Sequence, residues 1–378
     1  MSDVRKAVMH LCVVMALLCP GFSHAGSDAD RIHDVVTRLG SELMTDPSLP
    51  GLSVAVLKKG EDTPVCVTFG AACVENNVPM TPAARIKIGS VTKVFTAALI
   101  HKLIEDGRLE YETPIDRFFP QFPNGKSITV RNLVNHTSGI VDMLSLPAVQ
   151  TNLTKAWSAE ELISMAGAAP ALFAPGTKQK YSNTGYLMLA VISEIVSGKT
   201  YEDEIRDMFC EGLGMKSLSV GKDQAIVPNL SCGYSASADA VLTLPLMAGL
   251  AMAKGTGNLV AAPGDVVRLV NLDRVLKNSV LDSAELSPLR LADGEYATFR
   301  SKEAGCRYSG SFLDGCTLFM FDEPKIILVG KLGSFPGFGT AFFYDRQSTF
   351  AVAISVNNER SIPKAISLGA KILHELRN

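Results

Sequence analysis

A serine and a lysine stand three residues apart in the segment Ser90-Val91-Thr92-Lys93, at the start of an amphipathic stretch. On a helix this spacing places both side chains on one face, within reach of each other. A serine hydroxyl is a poor nucleophile until a base removes its proton, and an amine can serve as that base. Gly89 lets the backbone turn sharply into the helix, whose free N–H groups then point at a reacting carbonyl group. The spacing therefore indicates a serine acyl-transfer site.

Two further short motifs carry groups that suit the same chemistry. They are Tyr181-Ser182-Asn183 and Lys331-Leu332-Gly333, the latter followed by Ser334. Each motif alone also has a structural explanation: Ser90 could cap a helix, Lys93 could be a solvated surface charge, and the tyrosine could be a packed aromatic residue. The prediction of a serine site therefore depends on the combination of motifs.

The order of these motifs resembles that of the serine β-lactamase and D-alanyl-D-alanine peptidase superfamily, and most closely its class C β-lactamase and D,D-carboxypeptidase branch. The matching segments cover nearly the whole mature chain in the family's order. They lie at residues 69–70, 88–93, 103–109, 128–131, 136–140, 175–177, 181–186, 212–215, 257–260 and 336–338. Several ordered matches are more specific than any one of them. The resemblance implies a β-lactamase/transpeptidase-like fold and a serine hydrolase.

The resemblance also implies a role for each polar side chain of the motifs. Ser90 matches the nucleophile and Lys93 the base or proton relay. Tyr181 matches the residue that shuttles the proton toward the leaving group, and Asn183 the residue that orients the lysine and binds the substrate's amide. A phenol with a pKa of about 10 and an amine with a pKa of about 10.4 are poor bases at neutral pH, so burial and a cationic neighbour must lower one of them. Lys331 could supply that positive charge.

The third motif departs from the family's Lys-Thr-Gly or His-Thr-Gly pattern at Leu332. The family's motif lies on an edge strand, and its hydroxyl helps to bind the carboxylate of a terminal D-alanine or of a β-lactam, a hydrogen bond that leucine cannot donate. Lys331 could bind a carboxylate as a point charge, or its charge could simply prevent another strand from pairing with a sheet edge. Gly333 fits a place where substrate backbone approaches closely. The oxyanion hole would consist of the backbone N–H groups of Ser90 and Ser334.

Composition and charge exclude several other classes of function. The chain has 378 residues, 47% of them hydrophobic, and a formal net charge of -2 at pH 7. It can therefore bury a large core, and it lacks the long basic run expected of a nucleic-acid-binding protein. The four histidines beyond residue 25 show no metal-binding spacing and are expected at the surface or in packing contacts; they are His33, His101, His136 and His374. Neither a metal nor a nucleotide cofactor is expected.

The first 25 residues are typical of an export signal. Arg5 and Lys6 precede an apolar run at residues 11–18, and small residues at positions 23 and 25 suit cleavage before Gly26. The apolar run is shorter than the roughly 20 residues that span a bilayer, so we expect cleavage and no stable membrane span. The mature protein would then be periplasmic or secreted.

An even set of six cysteines remains after residue 25, and export makes disulfides permissible. They are Cys66, Cys73, Cys210, Cys232, Cys306 and Cys316. Six cysteines can pair in 15 ways. The pairing 66–73, 210–232 and 306–316 is favoured because two of these pairs bracket turns that contain glycine. Buried free thiols are the alternative.

Strand patterns lie at both ends of the chain and helical patterns lie between them. β-branched and apolar runs predict strands at residues 51–58, 64–69, 326–329, 340–344 and 350–356. Helical periodicity and glycine stops predict helices at residues 91–106, 159–166, 185–196, 201–209, 263–276 and 363–376. The pattern predicts an α+β fold, with an antiparallel sheet built from both chain ends and flanked by helices. One catalytic domain is expected at residues 26–378, with a sheet lobe at about 26–85 and 295–378 and an inserted, mainly helical lobe at about 86–294.

We therefore expect an exported serine hydrolase that forms an acyl-enzyme at Ser90 and cleaves amide or ester bonds of β-lactam or D-amino-acid peptide type. Its partner would be a small-molecule or peptidoglycan-type substrate and not a nucleic acid. Two alternatives use the same pocket: an esterase or D-aminopeptidase, and a penicillin- or peptidoglycan-binding module without turnover. Fast deacylation would make the protein a β-lactamase, and slow deacylation a penicillin-binding peptidase.

Overall fold

Apolar runs from both ends of the chain form strands of one sheet, and the segments between them supply most of the helices. The computed structural model describes residues 27–378 apart from 224–225, 238–239, 244–249, 279–280, 282–288, 302–304 and 310–314. The expected export signal at residues 1–25 lies outside the described residues. The strands are β1 (Gly51–Lys58), β2 (Val65–Cys73), β3 (Val78–Pro79), β4 (Ile86–Lys87), β5 (Ser219–Val220), β6 (Tyr234–Ser237), β7 (Ala240–Thr243), β8 (Leu259–Ala261), β9 (Thr298–Ser301), β10 (Cys306–Ser309), β11 (Thr317–Phe321), β12 (Ile326–Phe335), β13 (Phe338–Tyr344) and β14 (Phe350–Val356). The helices are α1 (Asp28–Leu43), α2 (Thr92–Glu105), α3 (Val130–Val134), α4 (Pro147–Gln150), α5 (Ala159–Ala168), α6 (Asn183–Ser197), α7 (Tyr201–Ile205), α8 (Pro263–Val266) and α9 (Ile362–Arg377).

Nine of the strands form one antiparallel sheet in the order β3-β2-β1-β14-β13-β12-β11-β10-β9. The two chain ends meet where β1 pairs with β14, from Leu52 opposite Val356 to Lys58 opposite Phe350. Every residue of β14 and nearly every residue of β1 is buried, because both faces of the sheet are covered at this point. The predicted α+β fold with a sheet built from both chain ends is confirmed.

Helices α1 and α9 cover one face of the sheet, and the remaining helices lie on the other. An apolar cluster joins both helices to the strands, with Val36 and Leu373 packed near Val54 and Ile354. On the opposite face, Phe95 of α2 belongs to a second cluster that includes residues of β13 and β14. The other side of α2 packs on α3, α5 and α6 in a third cluster. Helix α2, which carries Lys93, therefore lies between the sheet and the helical layer.

The structure differs from the predicted elements in several places. Helix α1 had no prediction, although Ser27 and Asp30 form a capping box at its start. Strand β12 continues to Phe335, six residues beyond its predicted end, because Gly330 and Gly333 sit where neighbouring carbonyl groups approach and do not break the strand. The helices predicted at 201–209 and 263–276 change geometry partway, into a π-helical turn at Arg206–Glu211 and a 3-10 helix at Val267–Arg274.

The favoured disulfide pairing is wrong. Among the cysteines that the structure describes, Cys73 bonds to Cys232, and Cys66, Cys210, Cys306 and Cys316 form no disulfide. Cys66 and Cys73 lie in the same strand, β2, where seven residues span about 23 Å. That distance far exceeds the roughly 4.4–6.8 Å between the Cα atoms of bonded cysteines. The Cys73–Cys232 bond instead ties the end of β2 to the segment before β6.

Within the described residues, no helix combines the length and the apolar composition needed to cross a bilayer.

Candidate active site

Ser90 lies in a single 3-10 turn, Gly89–Val91, that leads directly into α2. Gly89 adopts a φ of 52°, a conformation that residues with a side chain rarely take. A β-carbon at Gly89 would stand 2.7 Å from the backbone nitrogen of Ser334 and 2.5 Å from its oxygen. Glycine is required here both for the turn and for the close approach of β12. The sharp turn places Ser90 beside the strand that carries the third motif.

Lys93 is completely buried, and its amine contacts three oxygen atoms. Its Nζ lies 3.1 Å from Oγ of Ser90, 2.8 Å from Oδ1 of Asn183 and 2.8 Å from the carbonyl oxygen of Thr256. A neutral amine has two N–H groups and one lone pair. The amide and carbonyl oxygens can only accept, so they take the two N–H groups of the neutral form. The lone pair is then left for the hydroxyl proton of Ser90.

Tyr181 lies on the other side of the serine. Its hydroxyl donates a hydrogen bond to Oγ of Ser90 over 2.7 Å. The amine of Lys93 lies 4.8 Å from the centre of the Tyr181 ring, and that of Lys331 lies 5.6 Å from it. The side chain keeps 41% of its surface exposed, so the tyrosine stands at the mouth of the site. The serine is therefore held between one amine and one phenol.

The electrostatics of the site distinguish the amine from the phenol as a base. Burial lowers the pKa of Lys93 well below its ordinary value, and the positive charge of Lys331 lowers it further. The surrounding protein raises the pKa of Tyr181 by desolvation, and the charge of Asp142 adds to this shift. Each shift favours the uncharged form of its group, the neutral amine and the protonated phenol. Lys93 is therefore the better proton acceptor of the two.

Asn183 is the first residue of α6, and its side-chain amide bridges an amine and a carboxylate. Its Oδ1 accepts from Lys93, and its Nδ2 donates to Oδ2 of Asp142 over 2.9 Å. Its position at the start of α6 thus places the amide beside Lys93. No motif in the sequence indicated that Asp142 belongs to the site.

Lys331 lies on β12, which is an interior strand and not the edge strand expected from the family pattern. Neighbour β11 pairs only with the first half of β12, up to Gly330. Beyond this point, among the described residues, the ladder partners of residues 331–335 lie only in β13. The motif therefore occupies a half-open stretch of an interior strand. Burial lowers the pKa of Lys331 to about 8.

Leu332 and Gly333 have structural roles that differ from the expected ones. Strand alternation places Leu332 on the opposite face from Lys331, where it packs against the cluster under α1 and α9. A β-carbon at Gly333 would stand 1.9 Å from the carbonyl oxygen of Ile88. The close approach that requires glycine at 333 therefore comes from the protein's own backbone before Ser90.

The same contact brings together the two backbone N–H groups expected to form an oxyanion hole. Ser90 follows Gly89 directly, and Ser334 is the residue that abuts Gly89. All seven residues predicted for the site thus lie around one point, where α2, the start of α6 and β12 meet: Ser90, Lys93, Tyr181, Asn183, Lys331, Gly333 and Ser334.

His136 also belongs to this neighbourhood, and its contacts could not be anticipated from the scattered histidines. Its ring centre lies 4.5 Å from that of Tyr181 and 5.1 Å from that of Tyr186. Its Nδ1 accepts from the backbone N–H of Ser182 over 3.2 Å, so the neutral ring carries its proton on Nε2. Burial and the charges of Lys331 and Lys93 hold the pKa of His136 well below its ordinary value. The ring therefore supports Tyr181 as a neutral group.

One group of three potential metal ligands comes together in the described part of the chain, at Cys73, Glu75 and Cys232. The two cysteines are joined in a disulfide, so neither offers the thiolate that a metal ion would bind. The carboxylate alone is not a metal site.

Comparison with known proteins places these features in context. The family model described as Beta-lactamase matches residues 36–376. Penicillin-binding protein 4* of Bacillus subtilis is 34% identical over 155 residues, which are 40% of this chain and 34% of that protein. The matched segments span between 34% and 58% of the length of the first three curated relatives.

Solved structures match over almost the whole chain. D-amino acid amidase from Ochrobactrum anthropi SV3, complexed with D-phenylalanine, is 25% identical with a TM-score of 0.79, over 92% of this chain and 99% of the amidase. A class C beta-lactamase is 20% identical with a TM-score of 0.72, over 94% of this chain and 99% of the other. At 20% identity, the match to the class C beta-lactamase shows a shared fold.

Proposed function

The chain belongs to the Beta-lactamase family, a family of serine hydrolases, and on that premise we propose that it forms an acyl-enzyme at Ser90 and then hydrolyses it. The proposed substrates are amides or esters of β-lactam or D-amino-acid peptide type. The likeness to D-amino acid amidase over nearly the full length supports the second class. The likeness to Penicillin-binding protein 4* supports the β-lactam class.

The observation that carries this proposal is the placement of one serine oxygen between an amine and a phenol. Oγ of Ser90 lies 3.1 Å from Nζ of Lys93 and 2.7 Å from the hydroxyl of Tyr181. A nucleophile and a base within hydrogen-bonding distance, with the base held by further groups, form the arrangement that activates a serine.

Acylation follows from this geometry. The neutral amine of Lys93 removes the hydroxyl proton as Oγ of Ser90 attacks the carbonyl carbon, and the carbonyl oxygen becomes an oxyanion. Tyr181 then gives its phenolic proton to the leaving nitrogen or oxygen as the scissile bond breaks. The proton held by Lys93 restores the phenol. Water attacks the acyl group in the second half of the reaction, and Ser90 regains its proton.

The remaining groups bind the substrate in this proposal. The N–H groups of Ser90 and Ser334 hold the oxyanion, and Gly333 permits their approach. Asn183 orients Lys93 and contacts the substrate's amide. Lys331 attracts a carboxylate and keeps the pKa of Lys93 low by its charge. Because Leu332 faces away, the carboxylate site would use the lysine without a hydroxyl from this motif.

We also propose the domain organisation and export expected from the sequence. Residues 1–25 would be removed as a signal peptide, which leaves one catalytic domain at residues 26–378 in the periplasm or outside the cell. Its sheet lobe would comprise about 26–85 and 295–378, and its helical lobe about 86–294. Mass determination of the protein secreted by a bacterial host would test this cleavage.

Intact-protein mass spectrometry tests the proposed function. The protein and its Ser90→Ala variant are incubated with a penicillin, a cephalosporin, a D-alanyl-D-alanine peptide, D-phenylalanine amide and a nitrophenyl ester, while product release is followed. We expect an acyl adduct or turnover that is lost in Ser90→Ala. A matched control is Ser138→Ala, which removes another buried serine hydroxyl, one that accepts a hydrogen bond from the Ile140 N–H.

The outcomes separate the possible activities. A persistent β-lactam adduct would identify slow deacylation, as in a penicillin-binding peptidase. Turnover without an adduct would identify a β-lactamase, amidase or esterase, according to the substrate consumed. Wild-type protein with neither adduct nor turnover would contradict the proposal and favour a binding module.

A further inference from the structure

Asp142 places a carboxylate against the amide that orients the catalytic amine. Its Oδ2 accepts from Nδ2 of Asn183 over 2.9 Å, and its Oδ1 accepts from the backbone N–H of Leu144 over 2.9 Å. None of the three motifs contains this residue. Both of its oxygen atoms have partners within the protein, so the carboxylate is fixed in place.

The carboxylate determines which way the Asn183 amide faces. An ionised carboxylate can only accept hydrogen bonds, so Asn183 must present its NH₂ group to Asp142. The carbonyl oxygen of the same amide then faces Lys93, where it accepts from Nζ over 2.8 Å. The reversed amide would place an NH₂ group against the amine and an oxygen against the carboxylate. That orientation loses both hydrogen bonds.

The backbone that carries Asp142 is held on both sides by one hydroxyl group. Thr184, the residue after Asn183, accepts from the N–H of Met143 over 2.8 Å and donates to the carbonyl oxygen of Val141 over 2.7 Å. Both hydrogen bonds connect to α6, the helix that carries Asn183. The carboxylate and the amide are therefore fixed relative to each other by the same helix turn.

We infer that Asp142 is a positioning residue for the reaction: it sets the orientation of the Asn183 amide, which in turn holds the amine of Lys93. The inference rests on the proposed acylation of Ser90. It extends that proposal to a residue that touches neither the serine nor the lysine through any hydrogen bond described above.

The charge of Asp142 opposes that of Lys331 at the catalytic amine. The positive charge of Lys331 lowers the pKa of Lys93, and the negative charge of Asp142 raises it. The titratable groups that face the amine from the surrounding elements are Lys331 on β12, Asp142 and His136 on the loop after α3, Tyr181 before α6 and Tyr186 on α6. Asp142 is the anion of this set, so its removal lowers the pKa of Lys93.

Two substitutions separate the charge from the placement. Asp142→Asn removes the negative charge and the fixed orientation of the amide. Thr184→Val removes the two hydrogen bonds to the backbone on either side of Asp142 and keeps the negative charge. Asp265→Asn is the matched control, because Asp265 also accepts a backbone N–H, that of Ser217, and lies outside the set that faces Lys93.

The measurement is the rate of acylation by a nitrophenyl ester from pH 5 to 10, together with the pKa of Lys93 from NMR of protein labelled with ¹³C-lysine. For Asp142→Asn we expect the acylation rate at the optimal pH to fall roughly tenfold or more. We also expect the low-pH decline of this rate, the acid limb of the profile, to move to lower pH by about half a unit or more. Thr184→Val should slow acylation and leave the acid limb in place. Asp265→Asn should do neither.

Either of two results would overturn the inference: an acid limb and a Lys93 pKa in Asp142→Asn equal to those of the wild type, or equal shifts in Asp265→Asn. Wild-type protein without acylation at Ser90 would instead contradict the proposed function. In that case the NMR titration still decides whether Asp142 sets the proton affinity of Lys93.

Discussion

Gly333 lies against the carbonyl group of Ile88, and a β-carbon at this position would stand 1.9 Å from the carbonyl oxygen. The contact joins the strand that carries Lys331 to the turn that carries Ser90. It leaves no room for a side chain and no flexible atom that could move aside, since both partners are backbone. The geometry of the proposed acyl-transfer site therefore depends on a glycine that has no side chain to contact Lys93 or Tyr181.

Gly333→Ala should separate the strand from the serine turn. We expect a loss of acylation of about a hundredfold or more, because one oxyanion donor is displaced. Overpacking should cost a further 1–3 kcal/mol or so of unfolding free energy. Ester hydrolysis and denaturant unfolding measure the two effects. Gly330→Ala is the control on the same strand, since its clash, 2.0 Å from the Phe342 oxygen, lies away from the turn. Equal acylation losses in both variants would contradict this explanation.

Lys331 should set the basic limb of the pH profile, which is the decline of kcat/KM at high pH. Its pKa is lowered to about 8, so its positive charge is present below that pH and lost above it. We expect KM for a substrate with a carboxylate to rise as pH increases through 8. Lys331→Met should abolish this limb and move the acid limb to higher pH, because the charge that lowers the pKa of Lys93 is gone.

Lys87→Met is the matched control for that experiment. Lys87 is also buried, and burial lowers its pKa, but its amine packs over the rings of Phe335 and Phe338. Both limbs of the kcat/KM profile should stay in place in this variant. A basic limb that persists in Lys331→Met would mean that another group controls it.

Tyr181→Phe should slow amide hydrolysis more than hydrolysis of a nitrophenyl ester. The variant keeps the ring and loses the hydroxyl that lies 2.7 Å from Oγ of Ser90. General acid catalysis is worth about 10²–10⁴ in rate, and an amine needs the proton far more than a nitrophenolate does. The ratio of the two kcat/KM values measures the effect. In Tyr186→Phe, which loses a hydrogen bond to Val134, the ratio should be unchanged.

His136 should make the folded state sensitive to mild acid. Its folded-state pKa lies well below the ordinary value of 6.5, so below pH 6.5 the unfolded chain binds a proton that the folded protein does not. Stability therefore falls with decreasing pH, by up to about 1.4 kcal/mol per unit. His136→Asn, which tolerates the positive φ of 60°, should reduce this slope. Urea unfolding at pH 7 and pH 5 tests it, and the exposed His33→Asn should behave as wild type.

The Cys73–Cys232 disulfide should contribute strongly to stability because it closes a loop across 159 residues. Cys232→Ser should lose about 2–5 kcal/mol of unfolding free energy. A reducing agent should lower the Tm of the wild type and leave that of the variant unchanged. Cys66→Ser, at a free cysteine, is the control. A wild-type Tm that is insensitive to reduction would contradict this role.

Local patterns in the sequence were sufficient for the types of the elements that carry Ser90, Lys93, Asn183 and Lys331, and for the chemistry of the motifs. The strand at 51–58 and the strand at 350–356 were predicted to the residue, because continuous apolar runs with β-branched residues are typical of buried strands. The serine–lysine spacing indicated acyl transfer because a helix places both residues on one face. The order of the motifs indicated the family to which the chain belongs.

Tertiary structure decided three features: the disulfide pairing, the face of the sheet on which Leu332 lies and the hydrogen-bond partners of Lys93. Each depends on which backbone segments pack together, and residues far apart in sequence determine that packing. The Thr256 carbonyl and Asp142 carry no local signal, since one is a backbone group and the other could be any helix cap. The sequence alone thus determined which groups are available for the chemistry. Packing of α2, α6 and β12 around one serine decided which of them can act on it, because proton transfer requires contact within about 3 Å.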